Sequence, residues 1–275
     1  MTRTYTPWFL LFVALAMAAV YLFPLYWMYI TSLKGGSEIF ANPPTFWPNN
    51  PDPSVYPSVW ERRNMPVYLW NSFIIASGVT AVTVILGTGC AYVLARYRNA
   101  WIDVGLFCVL MLQVLPASVM VTPLFVGFNQ LGLLNSPQLA VILASSAKAM
   151  PFFVVLVRAT FMSVPRELEE AALVDGNSRV GAFFSIVLPL ARNGILVCAI
   201  LTFMSAFGEY IYSKSFIQSP TLQPASVGLS GFLGPNSSDW NSIMAYSAIY
   251  VTPILVAFVI LQRRIVSGLT SGALK

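Results

Sequence analysis

The side chains of this chain that are able to act as acids, bases or metal ligands are few, and the densest group of them is acidic. Glu167, Glu169, Glu170 and Asp175 fall within nine residues, in the segment VPRELEEAALVDGN, which lies between two long apolar stretches. Histidine, the commonest general base and the commonest metal ligand, is absent. The sequence therefore predicts no catalytic residue and no metal site.

The cysteines and glycines point the same way. Cys90, Cys108 and Cys198 lie singly inside apolar stretches without CxxC spacing, so we expect neither a disulfide framework nor a thiolate metal site. No lysine follows a glycine, so the phosphate-binding pattern GxxxxGK[ST] is absent. If ATP drives the activity of this protein, another chain must bind it.

The composition excludes several classes of protein. Of the 275 residues 57% are hydrophobic and only 9% are charged, and the mean hydropathy is +0.73. A soluble domain carries about 25% charged residues, so a soluble enzyme, a disordered protein and a nucleic-acid-binding domain are excluded. The net charge of +5 fits basic residues gathered at one membrane face. The sequence predicts an integral membrane protein that is embedded in the lipid bilayer and does not bind nucleic acid.

Uncharged stretches predict an all-α membrane protein with six transmembrane helices. The first stretch is too long for the core of a signal peptide, so we expect an uncleaved span. The turn-forming segment 129–137 separates a third span from a fourth, and Pro116 and Pro123 are expected to kink the third. The predicted spans are approximately 8–32, 69–95, 102–128, 138–162, 189–211 and 243–262, with a cytoplasmic loop at 163–188 and a cytoplasmic tail at 263–275.

The basic residues predict the orientation of these spans. Six spans place both termini on one side, and lysine and arginine are in excess on the cytoplasmic side of membrane proteins. With the N-terminus inside, ten basic residues fall at the cytoplasmic side and four outside, which predicts an N-in/C-in topology. The ten are Arg3, Arg96, Arg98, Arg158, Arg166, Arg179, Arg192, Arg263, Arg264 and Lys275, and the four are Lys34, Arg62, Arg63 and Lys214.

Two long outer segments, 34–66 and 214–241, separate the predicted spans. The first contains seven prolines, which predict irregular backbone, and its Trp47 and Trp60 are expected at the level of the lipid headgroups. The sequence leaves open whether this segment is a solvated connector or a docking surface for an external partner.

The acidic segment has the local signals of two short helices. Pro165 suits a first helical turn, where its missing N–H would be unpaired anyway, and Gly176 fits the left-handed position just beyond a helix end. Asn177 or Ser178 can cap a second short helix, and Pro189 then marks the entry into the fifth span. We expect the two helices to meet at about a right angle at the membrane surface, either as a mere connector or as a functional surface.

The same loop carries a resemblance to a known family. Glu170-Ala171-Ala172, then Asp175-Gly176 and, after nine residues, Ile186 and Leu188-Pro189 resemble the EAA loop of bacterial ATP-binding-cassette (ABC) importers. Over nearly its whole length the chain is similar to the shorter permease subunit of the carbohydrate importers of the maltose-transporter type, least so over 34–66. Residues 262–275 resemble the cytoplasmic tail of that subfamily.

The resemblance implies a type I ABC importer permease fold in the bacterial inner membrane and a function in the import of a sugar or sugar derivative. It implies a heterodimer with a second permease subunit, two ATPase subunits and an extracytoplasmic solute-binding protein. ATP and Mg would be bound by the ATPase subunits, so the chain would have no cofactor of its own and would not be an enzyme. The residues implied to couple to an ATPase are Glu170, Ala171, Ala172, Asp175 and Gly176, and those implied to reach between the ATPases are Arg263, Arg264 and Gly268.

An ionisable residue inside the bilayer is costly and usually functional, which draws attention to Lys148. It lies ten residues into the fourth span, about 15 Å from the outer end at 1.5 Å per residue. It either snorkels or pairs inside the bundle, for example with Glu209, or it faces a cavity and meets a sulfonate, phosphate or carboxylate of the substrate. The other residues expected on the substrate path are Gln113 and Ser118 on the third span, and Glu209 and Tyr210 near the outer end of the fifth, where a gate or a binding-protein contact fits equally well.

Two other classes of membrane protein are weighed against the importer subunit. An ion-coupled secondary transporter would normally show an internal repeat and paired ionisable residues along its ion path. A membrane-embedded enzyme would need clustered acids, histidines or metal ligands near one face. The sequence shows no repeat, and its acidic residues cluster only in the loop at 163–188.

Overall fold

A computed structural model describes residues 7–62, 64–97, 99–232 and 239–270, except for the side chains of Pro7, Arg62 and 263–270. All regular structure in these ranges is helical, and no strand occurs in them. Five long helices are α1 (Pro7–Ser32), α4 (Met65–Arg96), α7 (Pro137–Met162), α10 (Leu188–Phe207) and α13 (Trp240–Thr270). The shorter helices are α2 (Gly36–Ile39), α3 (Val55–Arg62), α5 (Ala100–Leu112), α6 (Ala117–Gln130), α8 (Arg166–Val174), α9 (Arg179–Ala182), α11 (Ile211–Phe216) and α12 (Ala225–Ser230).

Contacts divide the chain into two compact units. The first unit comprises Met1–Pro66 and Gly228–Pro253, and the second comprises Val67–Val227 and Ile254–Lys275. Five helical segments are long and apolar enough to cross a membrane, and α5 with α6 qualifies as a sixth if the two are counted together. The five are Trp8–Ser32, Met65–Arg96, Pro137–Met162, Arg179–Phe207 and Trp240–Gln262.

The third predicted span is not one kinked helix. Helices α5 and α6 are bent by 94° at a break between Leu112 and Ala117. Pro116 has no N–H to donate, and its ring disfavours the helical conformation for the residue before it, so the helix ends ahead of it. Pro123, by contrast, lies inside α6 without interrupting it. The kinks predicted at Pro116 and Pro123 within the span over 102–128 are thus replaced by a single break ahead of Pro116.

Helices α4 and α7 of the second unit run parallel to each other. Three hydrogen bonds join them at successive points along their lengths. The difference in residue number between the two bonded residues is nearly the same in all three, as expected for parallel helices. The bonds run from Gln138 Nε2 to Asn71 Oδ1 (3.1 Å), from Ser146 Oγ to the Val79 carbonyl (3.4 Å) and from Arg158 Nε to the Leu94 carbonyl (3.0 Å).

This parallel direction decides how the bent pair is counted. Two consecutive membrane helices that run in the same direction require the chain between them to return across the bilayer once. Asp103 in the first turn of α5 pairs with Arg158 near the end of α7 (2.7 Å), so α5 begins at the face where α7 ends. The pair α5–α6 therefore makes one crossing, which brings the crossings among the described residues to six.

Small residues allow α4 to pack closely on α7. A Cβ atom added to Gly78 would lie 2.6 Å from Cδ1 of Ile142, and one added to Gly87 would lie 2.6 Å from Cδ1 of Phe153. Glycine at these two positions leaves room for the Ile142 and Phe153 side chains of α7 against α4, and small residues are common at such contacts between membrane helices. Phe153 is buried in the apolar cluster that α4, α7 and α10 share.

The outer segment of the first unit is ordered by a buried lysine. Lys34 is only 2% exposed, its Nζ donates to the Thr45 carbonyl, and it lies 4.4 Å from the centre of the Trp27 ring. The Glu38 carboxylate accepts hydrogen bonds from Thr45 Oγ1 (3.0 Å) and from the Asn49 amide (2.9 Å). The segment predicted to be irregular thus contains α2 and α3 and a defined polar core.

Candidate functional site

The acidic segment forms α8 and the turn that follows it. Pro165 occupies the position before the first helical residue, and Glu167 and Glu169 lie in the first turn, where the helix dipole favours negative charge. Asp175 ends the helix, and Gly176 has φ +87°, the left-handed conformation that the sequence predicted there.

The second helix of the loop is not a separate short helix, which corrects the prediction. Ser178 caps it by accepting a hydrogen bond from the Gly181 amide (3.0 Å), but the helix then runs without a break from Arg179 to Phe207. A π-helical turn at Phe183–Val187 joins α9 to α10. This turn lies just ahead of Pro189, which has no amide hydrogen, and π turns are a known way to accommodate such a disruption inside a helix. The fifth membrane helix therefore begins inside the loop.

The residues implied to couple to an ATPase surround an open recess on this loop. The recess has a volume of about 580 Å³, and Ala171, Ala172, Asp175 and Gly176 line it, whereas Glu170 is exposed beside it. The neighbouring Val174 is 87% exposed, so an apolar side chain lies beside the recess. The loop thus presents a concave, partly apolar surface to its surroundings.

A partly buried ion pair, not expected from the sequence, joins α8 to the end of α4. Glu169 Oε2 lies 2.7 Å from Nε of Arg96, the last residue of α4, and both side chains are 13% exposed. The hydroxyl of Tyr92 donates to the other oxygen of the same carboxylate. Arg96 Nη1 also reaches the carbonyls of Phe161 (3.3 Å) and Val164 (3.5 Å) at the end of α7. Sequence reasoning assigned Arg96 only to the cytoplasmic interface, because its partner is 73 residues away.

The second unit also contains a cavity of about 580 Å³ among its membrane helices. It is bounded by the break between α5 and α6, by α7, by α10 and by the residues after α10. Of the residues expected on the substrate path, Gln113, Lys148, Glu209 and Tyr210 line it, and Ser118 does not. Sequence reasoning missed Ser145, Thr202 and Ser205, whose only signal is a hydroxyl group in an apolar helix.

Lys148 lies near the middle of α7 on the face that lines this cavity. Ser145, Ala149 and Phe152 share that face at the spacing of helix neighbours. Its side chain is exposed, and among the described residues no carboxylate lies within ion-pair distance of its ammonium group. Gln113, at the end of α5, donates from Nε2 to the Lys148 carbonyl (3.0 Å) and so fixes the break in the third crossing beside it.

Glu209 binds the start of α11, and not Lys148 as the sequence suggested. Its carboxylate accepts hydrogen bonds from the amides of Tyr212 (2.7 Å) and Ser213 (2.8 Å) and from the Ser213 hydroxyl (2.5 Å). It therefore caps the N-terminus of α11, and it lies beyond α10, which ends at Phe207 and not at the predicted residue 211. The ion pair between Lys148 and Glu209 is not formed.

The predicted contacts of the tail lie outside the described side chains. The backbone of α13 continues to Thr270, so the chain remains helical past the expected start of the tail at residue 263. The structure does not describe the side chains of Arg263 and Arg264 or the surroundings of Gly268.

Comparison with known proteins identifies the family. Residues 83–271 match the family described as the binding-protein-dependent transport system inner membrane component. The chain is 34% identical to the sulfoquinovosyl glycerol transport system permease protein SmoH of Agrobacterium fabrum, over 92% of this chain and 89% of that protein. It is 32% identical to the trehalose/maltose transport system permease protein MalG of Thermococcus litoralis, over 95% of this chain and 94% of that one.

A solved structure shows the same fold. The chain superposes with a TM-score of 0.76, at 20% identity, on a bacterial ABC transporter involved in the import of the acidic polysaccharide alginate, over 95% of this chain and 99% of that one. The all-helical importer fold and the location in the inner membrane, both expected from the sequence, are thereby confirmed. Because the family match covers more than half of the chain and both of the relatives named above exceed 30% identity, this chain belongs to the inner membrane components of binding-protein-dependent transport systems, the permease subunits of ABC importers.

Proposed function

We propose that this chain forms half of the translocation pathway of an ATP-driven importer for a sugar or sugar derivative, and that a second permease subunit forms the other half. The observation that carries this proposal is the cavity among the membrane helices, whose largely apolar lining includes Lys148, Gln113 and Glu209. The relatives named for sulfoquinovosyl glycerol and for trehalose and maltose support a sugar as substrate. Family membership disfavours the alternative of an ion-coupled secondary transporter.

The loop around α8 is the proposed contact with an ATPase subunit. Its exposed recess, its exposed Val174 and the adjacent Glu170 form a surface that a partner protein would cover. The family is binding-protein-dependent, which supports an extracytoplasmic solute-binding protein as a further partner. ATP and Mg are bound by the two ATPase subunits in this proposal, and Arg263, Arg264 and Gly268 lie on the helix end that would reach between them.

The unpaired Lys148 supports a substrate that carries a negative charge. An ammonium group surrounded by membrane helices is destabilised unless a counter-charge is present, and the described residues supply none within reach. A relative 34% identical is named for sulfoquinovosyl glycerol, a glycoside whose sugar carries a sulfonate. We therefore favour an acidic glycoside, whose anionic group contacts Lys148 during passage.

Reconstitution tests this proposal. The chain would be assembled in liposomes with its partner permease, the ATPases and the binding protein, and uptake and ATP hydrolysis would be measured for paired neutral and acidic glycosides. We expect ATP-dependent uptake, with acidic glycosides preferred. Uptake without ATP would contradict the importer role, and a clear preference for the neutral member of every pair would contradict the anionic substrate.

A further inference from the structure

We propose that Arg96 and Glu169 form the joint through which movement of α8 is passed to the membrane helices, so that α8 and the end of α4 move as one body. This inference rests on the proposed role of the loop as the contact with an ATPase. It assigns to these two side chains a positioning role in coupling, separate from any contact with the ATPase itself.

The first argument is the direction in which Glu169 points. Its neighbours Glu167 and Glu170 are exposed, whereas the side chain of Glu169 is 13% exposed and turned toward α4. Moving a carboxylate out of water is unfavourable unless a partner compensates for it. Arg96 supplies that partner, so this pair, unlike the acidic residues around it, is part of the interior of the protein.

The second argument is the number of elements that the guanidinium of Arg96 joins. Through Nε it holds α8, and through Nη1 it reaches the carbonyls of Phe161 and Val164 at the end of α7. In return, Arg166 at the start of α8 donates to the Arg96 carbonyl (2.6 Å). The end of α4 is thereby fixed to both ends of the connection between α7 and α8.

The third argument is that an apolar contact alone would permit sliding. Next to the ion pair, the Tyr92 ring packs against the ring of Phe161 on α7 and the ring of Phe183 on the π-helical turn. The distances between ring centres are 5.7 Å and 4.6 Å. Such contacts are non-directional. The planar fork of Arg96, in contrast, holds Glu169 through Nε and the end of α7 through Nη1, and these directional bonds resist displacement of α8 along α4.

A movement of α8 would then reach the cavity by a short route. Helix α4 packs on α7 without a gap at Gly78 and Gly87, and α7 carries Lys148 on the face that lines the cavity. Closely packed helices transmit displacement because their interiors have low compressibility. The joint therefore connects the proposed ATPase contact with the proposed substrate path.

The test is Glu169→Gln in the complete reconstituted transporter. This change keeps the size of the side chain and removes its charge. The matched control is Glu167→Gln, the same change two residues earlier on the same helix, at an exposed position that forms no ion pair with α4 among the described residues. Assembly, ATP hydrolysis and uptake are measured on each, with the glycoside that the unaltered complex transports best.

We expect Glu169→Gln to assemble and to hydrolyse ATP, but to lower the number of glycosides imported per ATP about fivefold or more, as a lost coupling of ordinary size would. Arg96→Lys, which keeps the charge and loses the fork, should give an intermediate loss, and Glu167→Gln should equal the unaltered complex. A purely structural role would lower the amount of complex and leave this ratio unchanged.

Several outcomes would overturn the inference. If Glu169→Gln and Glu167→Gln import equally per ATP, the pair transmits nothing. If Glu169→Gln and Arg96→Lys both prevent assembly, the pair is an assembly contact and not a joint. If the unaltered complex itself shows no ATP-dependent uptake, the proposed function fails, and that result is distinct from the other two.

Discussion

Lys148 and Glu209 share a cavity, yet the environment of each is different. The carboxylate of Glu209 accepts hydrogen bonds from two amides and a hydroxyl at the start of α11, so its negative charge is stabilised locally. The ammonium of Lys148 has no such compensation among the described residues. Sequence alone could not separate these cases, because Glu209 finds its donors only once the chain turns after Phe207.

The first prediction concerns this lysine. Lys148→Ala should lower the uptake of acidic glycosides about tenfold relative to neutral ones, since a hydrogen bond to a charged group contributes about 1.5–3 kcal/mol. The measurement is initial uptake of a matched acidic and neutral pair in the reconstituted complex. Lys214→Ala, at an exposed position of α11 away from the cavity lining, is the control and should change neither. Equal losses for both members of the pair would show that Lys148 has a structural role.

The left-handed conformation of Gly176 was predictable because it depends only on the residues next to it in the chain. Gly176 follows a helix with capping signals at both ends, and its φ of +87° is the conformation that such a position requires. Val at this position would be strained by about 1–2 kcal/mol, which the loop would relieve by moving α8 relative to α9.

We therefore predict that Gly176→Val lowers uptake and loosens ATPase association roughly tenfold, in proportion to that strain. Asn tolerates the left-handed conformation better than other non-glycine residues, so Gly176→Asn should retain most of both. Co-purification of the ATPase and uptake assays on the two variants provide the measurement. Identical behaviour of Val and Asn would mean that the backbone conformation of this turn is unimportant for coupling.

At the scale of helices, the sequence predicted apolar segments of membrane length but not the geometry of the breaks between them. Hydropathy located the apolar segments because each has to match the bilayer thickness. It could not distinguish a kink at Pro116 from a bend of 94°, since both begin with the same lost hydrogen bond. The sequence also placed the start of the fifth membrane helix at Pro189. The π-helical turn at Phe183–Val187 instead keeps the helix continuous there. Breaks of this kind depend on the neighbouring helices that satisfy the freed backbone groups.

A third prediction tests the close packing of α4 on α7. Gly87→Leu should destabilise the protein, because its Cβ alone would lie 2.6 Å from Phe153 and 3.2 Å from the sulfur of Met150. Overpacking of this kind typically costs about 1–3 kcal/mol, and we expect the midpoint of thermal unfolding in detergent to fall by roughly 5 °C.

Gly89→Leu is the matched control, since a Cβ at Gly89, two residues along the same helix, would meet nothing within 4 Å. It should unfold at the same temperature as the unaltered protein. If both variants unfold alike, the gap between α4 and α7 is wider than described.

At the scale of the whole chain, the contacts between helices bring basic residues together on one face, and their charge predicts the orientation of that face. The ends of α4 and α7 and the start of α8 share one face, and Arg96, Arg158 and Arg166 lie there. The excess of basic residues predicts that this face is cytoplasmic. The charges can be read from the sequence, but the parallel direction of α4 and α7, on which the count of six crossings in the described part of the chain rests, required the contacts between residues far apart in the chain.

The fourth prediction distinguishes six crossings from five. If α5–α6 crosses once, Ser136 before α7 faces outward and Ser163 after α7 faces the cytoplasm; if the pair returned to its starting face, both assignments would be reversed. Both side chains are exposed, so Ser136→Cys and Ser163→Cys would be made after replacing Cys90, Cys108 and Cys198 with Ala. A membrane-impermeant maleimide should label the first in intact spheroplasts and the second only after permeabilisation. The reverse pattern would show that the bent pair is a re-entrant loop and would place α8 outside the cell, where no ATPase subunit could reach it.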